Sequence, residues 1–208
     1  MEIIKFDNNH AIELAVGVIK RGGSIIYPTD TVYGLGVSAL NQYTIEKLFK
    51  IKKRPETKPV PIMVRNIEMA KKLAYIDAKT ERILREVWPG QVTVVLEKRE
   101  VVPDILTAGL KTVGLRIPSH FFTQLLMENL DEPITATSAN FSGEPSLGSA
   151  VEIIKIFNNA YFRPDLILDA GELPLSPPST VLDLTSSQPK ITRVGPISKK
   201  DLDKLLML

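Results

Sequence analysis

Segments with the period of a helix alternate with segments with the period of a strand along this chain, and that alternation confines it to an α/β fold. Residues Asn9–Lys20 set Ile12, Ala15, Val16 and Ile19 on one helical face, and Gly22 and Gly23 stop that helix. Residues 24–27 form a short apolar strand run ended by Pro28. Residues 43–53 read as a second helix, with Ile45, Leu48 and Phe49 inward, lysines outward and Pro55 as terminator. Further strands are expected at 60–64, 92–96, 112–117, 133–137, 166–168, 180–184 and 191–194. Further helices are expected at 67–73, 78–87 and 150–157, and from an N-cap at Ser119 to about residue 130. Ser198 and Asp201 have the spacing of a capping box for a last helix. The connections are too short and irregular for a doubly wound sheet, so the reading is a mixed, twisted sheet with helices packed on it. No repeat, low-complexity tract or linker divides the 208 residues, which read as a single domain, 1–208, able to bury roughly 70% of its unfolded surface.

Composition removes several kinds of chemistry. Cysteine is absent, which excludes disulfides, thiolate nucleophiles and cysteine-ligated zinc. His10 and His120 are too few for a multi-histidine metal site. Residues 1–6 lack the long apolar core of a signal peptide. No stretch approaches the roughly 20 apolar residues of a bilayer span, so no membrane partner is expected and the cytoplasm is the expected compartment. The net charge of +2 is too small to argue for nucleic acid. Its distribution is uneven, because Lys47, Lys50, Lys52, Lys53, Arg54 and Lys58 crowd together against only Glu46 and Glu56. Such a cluster suits a phosphate-bearing ligand or an RNA backbone, and a solvated helix face would look the same.

Four segments are unusual for packing alone. Residues 27–36, Tyr-Pro-Thr-Asp-Thr-Val-Tyr-Gly-Leu-Gly, carry hydroxyls and a carboxylate out of a strand, where open α/β folds hold ligands. Gly34 and Gly36 would let backbone approach a ligand closely. A Pro-Thr-Asp turn with Asp30 bonding its own backbone fits the same residues. Residues 50–55 and Lys58 sit at a helix end, where the dipole favours cations with or without a ligand, and Arg54 could stabilise charge on a phosphoryl group. In residues 111–118, Thr112, Gly114 and Arg116 share one strand face opposite Val113, Leu115 and Ile117, which fits either a lined cavity or a wet edge strand. Residues 135–146 hold small hydroxylated side chains, Asn140 and Gly143, a cradle suited to phosphate or adenine. The Walker spacing, the dinucleotide glycine fingerprint and the Gly-x-Ser-x-Gly elbow are all missing.

In this order the segments resemble the YrdC-type threonylcarbamoyl-AMP synthase family from about Ser24 to Gly195. The marks are residues 27–36, Lys52-Lys53-Arg54-Pro55, Trp88-Pro89-Gly90, residues 113–118, residues 138–143 and Ser179-Thr180-Val181. The resemblance implies a YrdC-like twisted mixed sheet flanked by helices, with a concave, positively charged ligand cavity. It implies a nucleotidyltransferase that joins L-threonine, bicarbonate or CO2 and ATP into threonylcarbamoyl-AMP and pyrophosphate. That product serves the threonylcarbamoyladenosine modification of tRNA. By position it implies that Thr31, Arg116, the backbone of Ala136 and Ser179 hold threonine. Arg54, Lys58, Thr112, Ser138, Ser146 and Arg193 would hold the nucleotide, with Lys52 and Arg54 as the catalytic pair at the triphosphate. Mg2+ would arrive with ATP. A downstream threonylcarbamoyl transferase would take the product, and tRNA or double-stranded RNA is a further expected partner.

Met63 stands where many members of the family place a histidine near the substrate. Some relatives carry a further C-terminal domain, and with its last residue at Leu208 this chain resembles the short, single-domain form. Two rival readings remain beside the synthase. One is a non-catalytic RNA-binding module using the face from Lys47 to Lys58, against which stands an aromatic content of only 6%. The other is the carbamoyl-adenylate chemistry of hydrogenase-maturation proteins, which are normally longer.

Overall fold

The computed structural model describes residues 1–6, 9–174, 176–186 and 188–205. Its strands are β1 (Glu2–Lys5), β2 (Ile25–Tyr27), β3 (Gly34–Gly36), β4 (Ile62–Met63), β5 (Val92–Glu97), β6 (Thr112–Arg116), β7 (Ile134–Thr135), β8 (Thr137–Ser138), β9 (Leu166–Asp169), β10 (Thr180–Asp183) and β11 (Lys190–Arg193). Its helices are α1 (Asn9–Lys20), α2 (Gln42–Lys52), α3 (Ile67–Leu73), α4 (Ala78–Val87), α5 (Asp104–Thr107), α6 (Phe121–Glu128), α7 (Ala150–Asn158) and α8 (Lys199–Leu205). The expected mixed sheet is present as two mixed sheets, ordered β1-β9-β2-β3-β8 and β11-β10-β5-β6-β4-β7. In the first, β9 runs parallel to β1 and β2, while β3 lies antiparallel to both β2 and β8. In the second, β5 pairs parallel with β10 and antiparallel with β6, and β4 pairs parallel with β6 and antiparallel with β7. One contiguous apolar core joins them, from Ile12 and Ile19 of α1 through Ile25, Leu35 and Ile167 to Val94, Leu115 and Ile134. Among the described residues, no helix is long and apolar enough to cross a membrane.

The expected strand over 133–137 is divided between the sheets. β7 belongs to one and β8 to the other, with Ala136 between them donating its N–H to the Pro61 carbonyl at 2.8 Å. The expected strand over 60–64 shortens to β4 because the Val60 N–H is drawn away to Leu106. β3 escapes notice in the sequence because two of its three residues are glycine, which strands ordinarily avoid. These glycines serve packing: a Cβ on Gly34 would lie 2.7 Å from the Tyr27 ring, and one on Gly36 would lie 2.9 Å from it. The buried Tyr27 ring lies against β3 and donates its hydroxyl to the Thr135 carbonyl at 3.1 Å.

Two helix ends bear on the site. α2 stops at Lys53, which takes a left-handed conformation (φ 50°), while the Arg54 N–H returns to Phe49 at 2.9 Å. The reversal is made before Pro55 is reached. It leaves Lys52 pointing into the protein, and Lys53 lies over the Phe141 ring at 4.3 Å. α6 is not capped by Ser119 as expected; its N-cap is His120, without a side-chain bond, because Ser119 is turned toward Asp30. The capping box at Ser198 and Asp201 does form, with Ser198 N bonded to Asp201 Oδ2 at 3.1 Å and Asp201 N to Ser198 Oγ at 3.2 Å.

The start of β9 is fastened to α2 and β2 by one carboxylate. Asp165 Oδ2 accepts from Lys47 Nζ at 2.6 Å and from the Ser24 N–H and Oγ at 2.6 and 2.8 Å. Burial pushes this carboxyl up, but the bonds from Lys47 and Ser24 prevail and hold it below the usual carboxylate range. A depressed folded value means stability that is full above the unfolded value and lost as pH falls through the folded one. Thermal unfolding between roughly pH 5 and pH 2 should therefore fall more steeply for the wild type than for Asp165→Asn. Parallel profiles would contradict this fastening.

Candidate active site

Residues of both sheets line one cavity of about 330 Å³. Nine of the residues expected in a site reach it: Thr31, Lys52, Arg54, Arg116, Ala136, Ser138, Ser146, Ser179 and Arg193. Lys58 and Thr112 do not line it. The Lys58 side chain is exposed and only its carbonyl faces inward, accepting from Arg54 Nε at 3.1 Å. Thr112 opens β6 opposite Glu97, at the far end of the strand from Arg116. Met63 lines the cavity as well, paired in register with Arg116 on β6.

One side of the cavity is built on the loop after β2. Thr29 Oγ1 accepts from the Thr31 and Val32 N–H groups at 3.1 and 3.2 Å and bonds the Val32 carbonyl at 2.6 Å, which closes a tight turn. That turn presents Thr31 and Asp30 to Arg116. The guanidinium donates from Nη2 to Asp30 Oδ1 at 2.5 Å, from Nη1 to Thr31 Oγ1 at 3.2 Å and from Nε to the Gly90 carbonyl at 3.0 Å. Burial pulls this guanidinium down, and the adjacent Asp30 carboxylate opposes that shift. Arg116 has five N–H donors, so two are left over, one on each terminal nitrogen. That is the complement a carboxylate accepts.

The other side is built on the end of α2 and the loop after β8. Lys52 is 1% exposed, and its ammonium bonds the Ser138 carbonyl, the Asn140 carbonyl at 2.9 Å and Asn140 Oδ1 at 3.1 Å. The Asn140 amide also accepts from Ser138 Oγ at 2.5 Å and donates to the Glu144 carbonyl at 2.5 Å. Lys52 therefore fixes the loop from inside rather than standing free in the cavity. Burial, with the Arg54 charge adding to it, pulls Lys52 from 10.5 down to about 7. Arg54 braces itself on the carbonyls of Lys58 and Pro59, at 3.1 and 2.7 Å, and keeps three N–H donors uncommitted.

A third part comes from the end of the chain. Arg193 donates twice to the Ser179 carbonyl, at 3.0 and 2.7 Å, and once to Ser179 Oγ at 3.2 Å. Ser179 Oγ is also hydrogen-bonded to Thr93 Oγ1 at 2.8 Å. Thr180 Oγ1 bonds the Ile197 carbonyl at 2.6 Å and accepts from the Gly195 N–H at 3.0 Å, holding the segment after β11 in place. Gly195 tolerates no side chain, since a Cβ would lie 2.3 Å from the Pro178 carbonyl.

Four participants escaped the reading of the sequence in whole or part. Asp30 bonds Arg116 and Ser119 rather than local backbone, and Thr93, Gln91 and Asn140 had no assigned part. Asp30 and Asn140 carried a signal, as the carboxylate and the amide of polar runs leaving strands, whereas Gln91 and Thr93 carried none. The basic run of 47–58 does not form one face. Lys47 is paired with Asp165 and Lys52 is buried, which leaves Lys50, Lys53 and Lys58 at the surface beside a half-buried Arg54.

A family model for Sua5, YciO and YrdC, described as "Telomere recombination", matches residues 17–195. The chain is 38% identical over 196 residues to the threonylcarbamoyl-AMP synthase of Pyrococcus abyssi, across 94% of this chain and 57% of that protein. The crystal structure of P. abyssi Sua5 complexed with L-threonine is similar at TM-score 0.90 and 36% identity, covering 98% of this chain and 60% of that one. Escherichia coli YciO is similar over nearly its whole length, with TM-score 0.85, 30% identity, and 97% and 98% of the two chains covered. The chain thus spans 57% of the length of the P. abyssi synthase, and the same share of the Bacillus subtilis synthase.

Lys52 makes the site's electrostatics measurable through stability. Its value is lowered from 10.5 to about 7 by burial and Arg54, so between those values the unfolded chain binds more protons than the folded one. Stability from this group then rises with pH across that window. Urea unfolding of the wild type should gain on Lys52→Met between about pH 7 and pH 9. An unchanged difference between the two proteins would contradict a depressed Lys52.

Proposed function

The chain belongs to the Sua5/YciO/YrdC family, and from that premise we propose that it is a nucleotidyltransferase making threonylcarbamoyl-AMP from L-threonine, bicarbonate or CO2 and ATP. The observation that carries this reading is one cavity lined by two kinds of anion-binding group. One is Arg116, with two spare donors, beside Thr31, and the other is Arg54 with Lys52 and Ser138. The first arrangement suits the carboxylate of an amino acid, and the second suits a triphosphate. The lining holds four cationic side chains, Lys52, Arg54, Arg116 and Arg193, against the carboxylate of Glu144 alone, which supports an anionic ligand. The name of the P. abyssi relative and the threonine bound to its structure support the same substrates. The contiguous core supports a single domain for the whole chain.

In this reading the threonine amine and CO2 form a carbamate, held by Arg116, Thr31, Ser179 and the Ala136 backbone. A carbamate oxygen attacks the α-phosphorus of ATP, and the bond to pyrophosphate breaks. No protein nucleophile is needed, so catalysis is placement and stabilisation of charge. Arg54 has the free donors to meet the phosphates. Lys52, held by three oxygens, fixes the Ser138 loop from beneath. Ser138, Ser146 and Arg193 complete the nucleotide side. Among the described residues, no group of three or more His, Cys, Asp or Glu could hold a metal ion. Mg2+ would enter as part of the ATP complex. The cytoplasm, where ATP and free amino acids are made, is the compartment we assign, and the product would pass to a transferase acting on tRNA. The division of the basic run, with Lys47 paired and Lys52 buried, weighs against the RNA-binding alternative.

Pyrophosphate release from ATP and bicarbonate should depend on L-threonine. In Arg54→Ala it should fall by about 10²- to 10³-fold, the usual loss when a donor to developing charge is removed. Release without regard to threonine would sink the proposal. A parallel panel of amino acids examines Met63. Its apolar side chain offers no hydrogen bond to the substrate hydroxyl, so Met63→His should raise preference for threonine over valine, and an unchanged ratio would remove Met63 from the specificity pocket.

A further inference from the structure

Asp30 is not among the residues lining the cavity, yet both of its carboxylate oxygens are bonded. Its Oδ1 receives Arg116 Nη2 at 2.5 Å, and its Oδ2 receives the Ser119 N–H and Oγ at 3.1 and 2.7 Å. Its own carbonyl accepts from Gln91 Nε2 at 2.5 Å. The residue is therefore anchored to β6, to the segment entering α6 and to the segment entering β5. The ion pair is nearly dry, with the side chains of Arg116 and Asp30 only 8% and 11% exposed. Ser119 forgoes capping α6 in order to hold this carboxylate. Bonding both oxygens satisfies the lone pairs of a buried carboxylate, and because the partners lie on separate segments it also fixes the carboxylate in place.

We propose that Asp30, gripped by Ser119, is a positioning residue that fixes the Arg116 guanidinium so that its two uncommitted N–H groups meet the carboxylate of the amino-acid substrate. The inference rests on the assignment of that half of the cavity to an amino acid. It has a definite sign. As a mere counter-charge, Asp30 competes with the substrate carboxylate, and losing its charge tightens amino-acid binding. As a positioning group it sets the guanidinium before binding, and losing its grip weakens amino-acid binding. Asparagine at position 30 can still accept from Arg116, but its amide nitrogen cannot accept the Ser119 N–H and keeps at most a bond to Ser119 Oγ, so the grip is weakened.

Calorimetric titration of the full chain with L-threonine, and separately with a non-hydrolysable ATP analogue, tests this on the wild type, Asp30→Asn and Ser119→Ala. The threonine dissociation constant should rise roughly tenfold in Asp30→Asn and roughly threefold in Ser119→Ala, with the analogue's affinity retained in both. If Asp30→Asn does not fold, Ser119→Ala decides the matter by the same comparison. Unchanged or tighter threonine binding overturns the positioning role, and so does an equal loss for threonine and the analogue. A wild type that binds the analogue but not threonine overturns the amino-acid assignment and this inference with it.

Discussion

The backbone of residues 134–138 has to serve two sheets at once. Thr135 closes one ladder, Thr137 opens the other, and Ala136 between them has its N–H turned to Pro61. Every buried N–H in this stretch needs an acceptor, so the crossing can be made only where both sheets bring their edges together. Thr135 secures that meeting with its hydroxyl, which accepts from the Val37 N–H and bonds the Leu35 carbonyl, while its carbonyl takes the Tyr27 hydroxyl. The glycines of β3 make room for the Tyr27 ring, so the cavity wall, the crossing strand and the tyrosine depend on one another. Ala136 and Ser138 reach the cavity because the chain leaves one sheet for the other at that point.

Two buried cations organise the cavity, and neither stands unpaired. Arg116 is held by a carboxylate, a hydroxyl and a carbonyl, and Lys52 by two carbonyls and an amide oxygen. Removing charge from water is costly, and such groups persist where fixed dipoles replace the lost solvent. The two solutions differ in what they leave over. Arg116 retains donors for a ligand, whereas Lys52 spends all three on the loop that carries Ser138 and Asn140. A cavity prepared in this way meets an anionic substrate with its dipoles already oriented, which is the condition for electrostatic stabilisation of developing charge.

Much of this was legible in the amino-acid order. Helix faces such as that of Ile12, Ala15 and Ile19 follow from burial at a period near 3.6, and α1 has the bounds its pattern gives. Nine of the candidate site residues meet in one cavity because strand ends and loops of an α/β fold converge there. The misses share a cause. The turn of Ser119 toward Asp30, the burial of Lys52 and the division of the strand at Ala136 are settled by partners tens of residues away, which local propensity does not record. The packing role of the β3 glycines is hidden for the same reason, since the ring they accommodate belongs to the neighbouring strand, although Gly34 also lines the cavity.

The central claim is that threonine and ATP meet in this cavity and leave it joined. Incubation of the chain with ATP, L-threonine and carbon-13 bicarbonate, followed by mass spectrometry of the nucleotides formed, tests that claim most directly. The account predicts an AMP adduct containing both threonine and the labelled carbon. An adduct lacking either one, or no adduct while ATP is still bound, would contradict it.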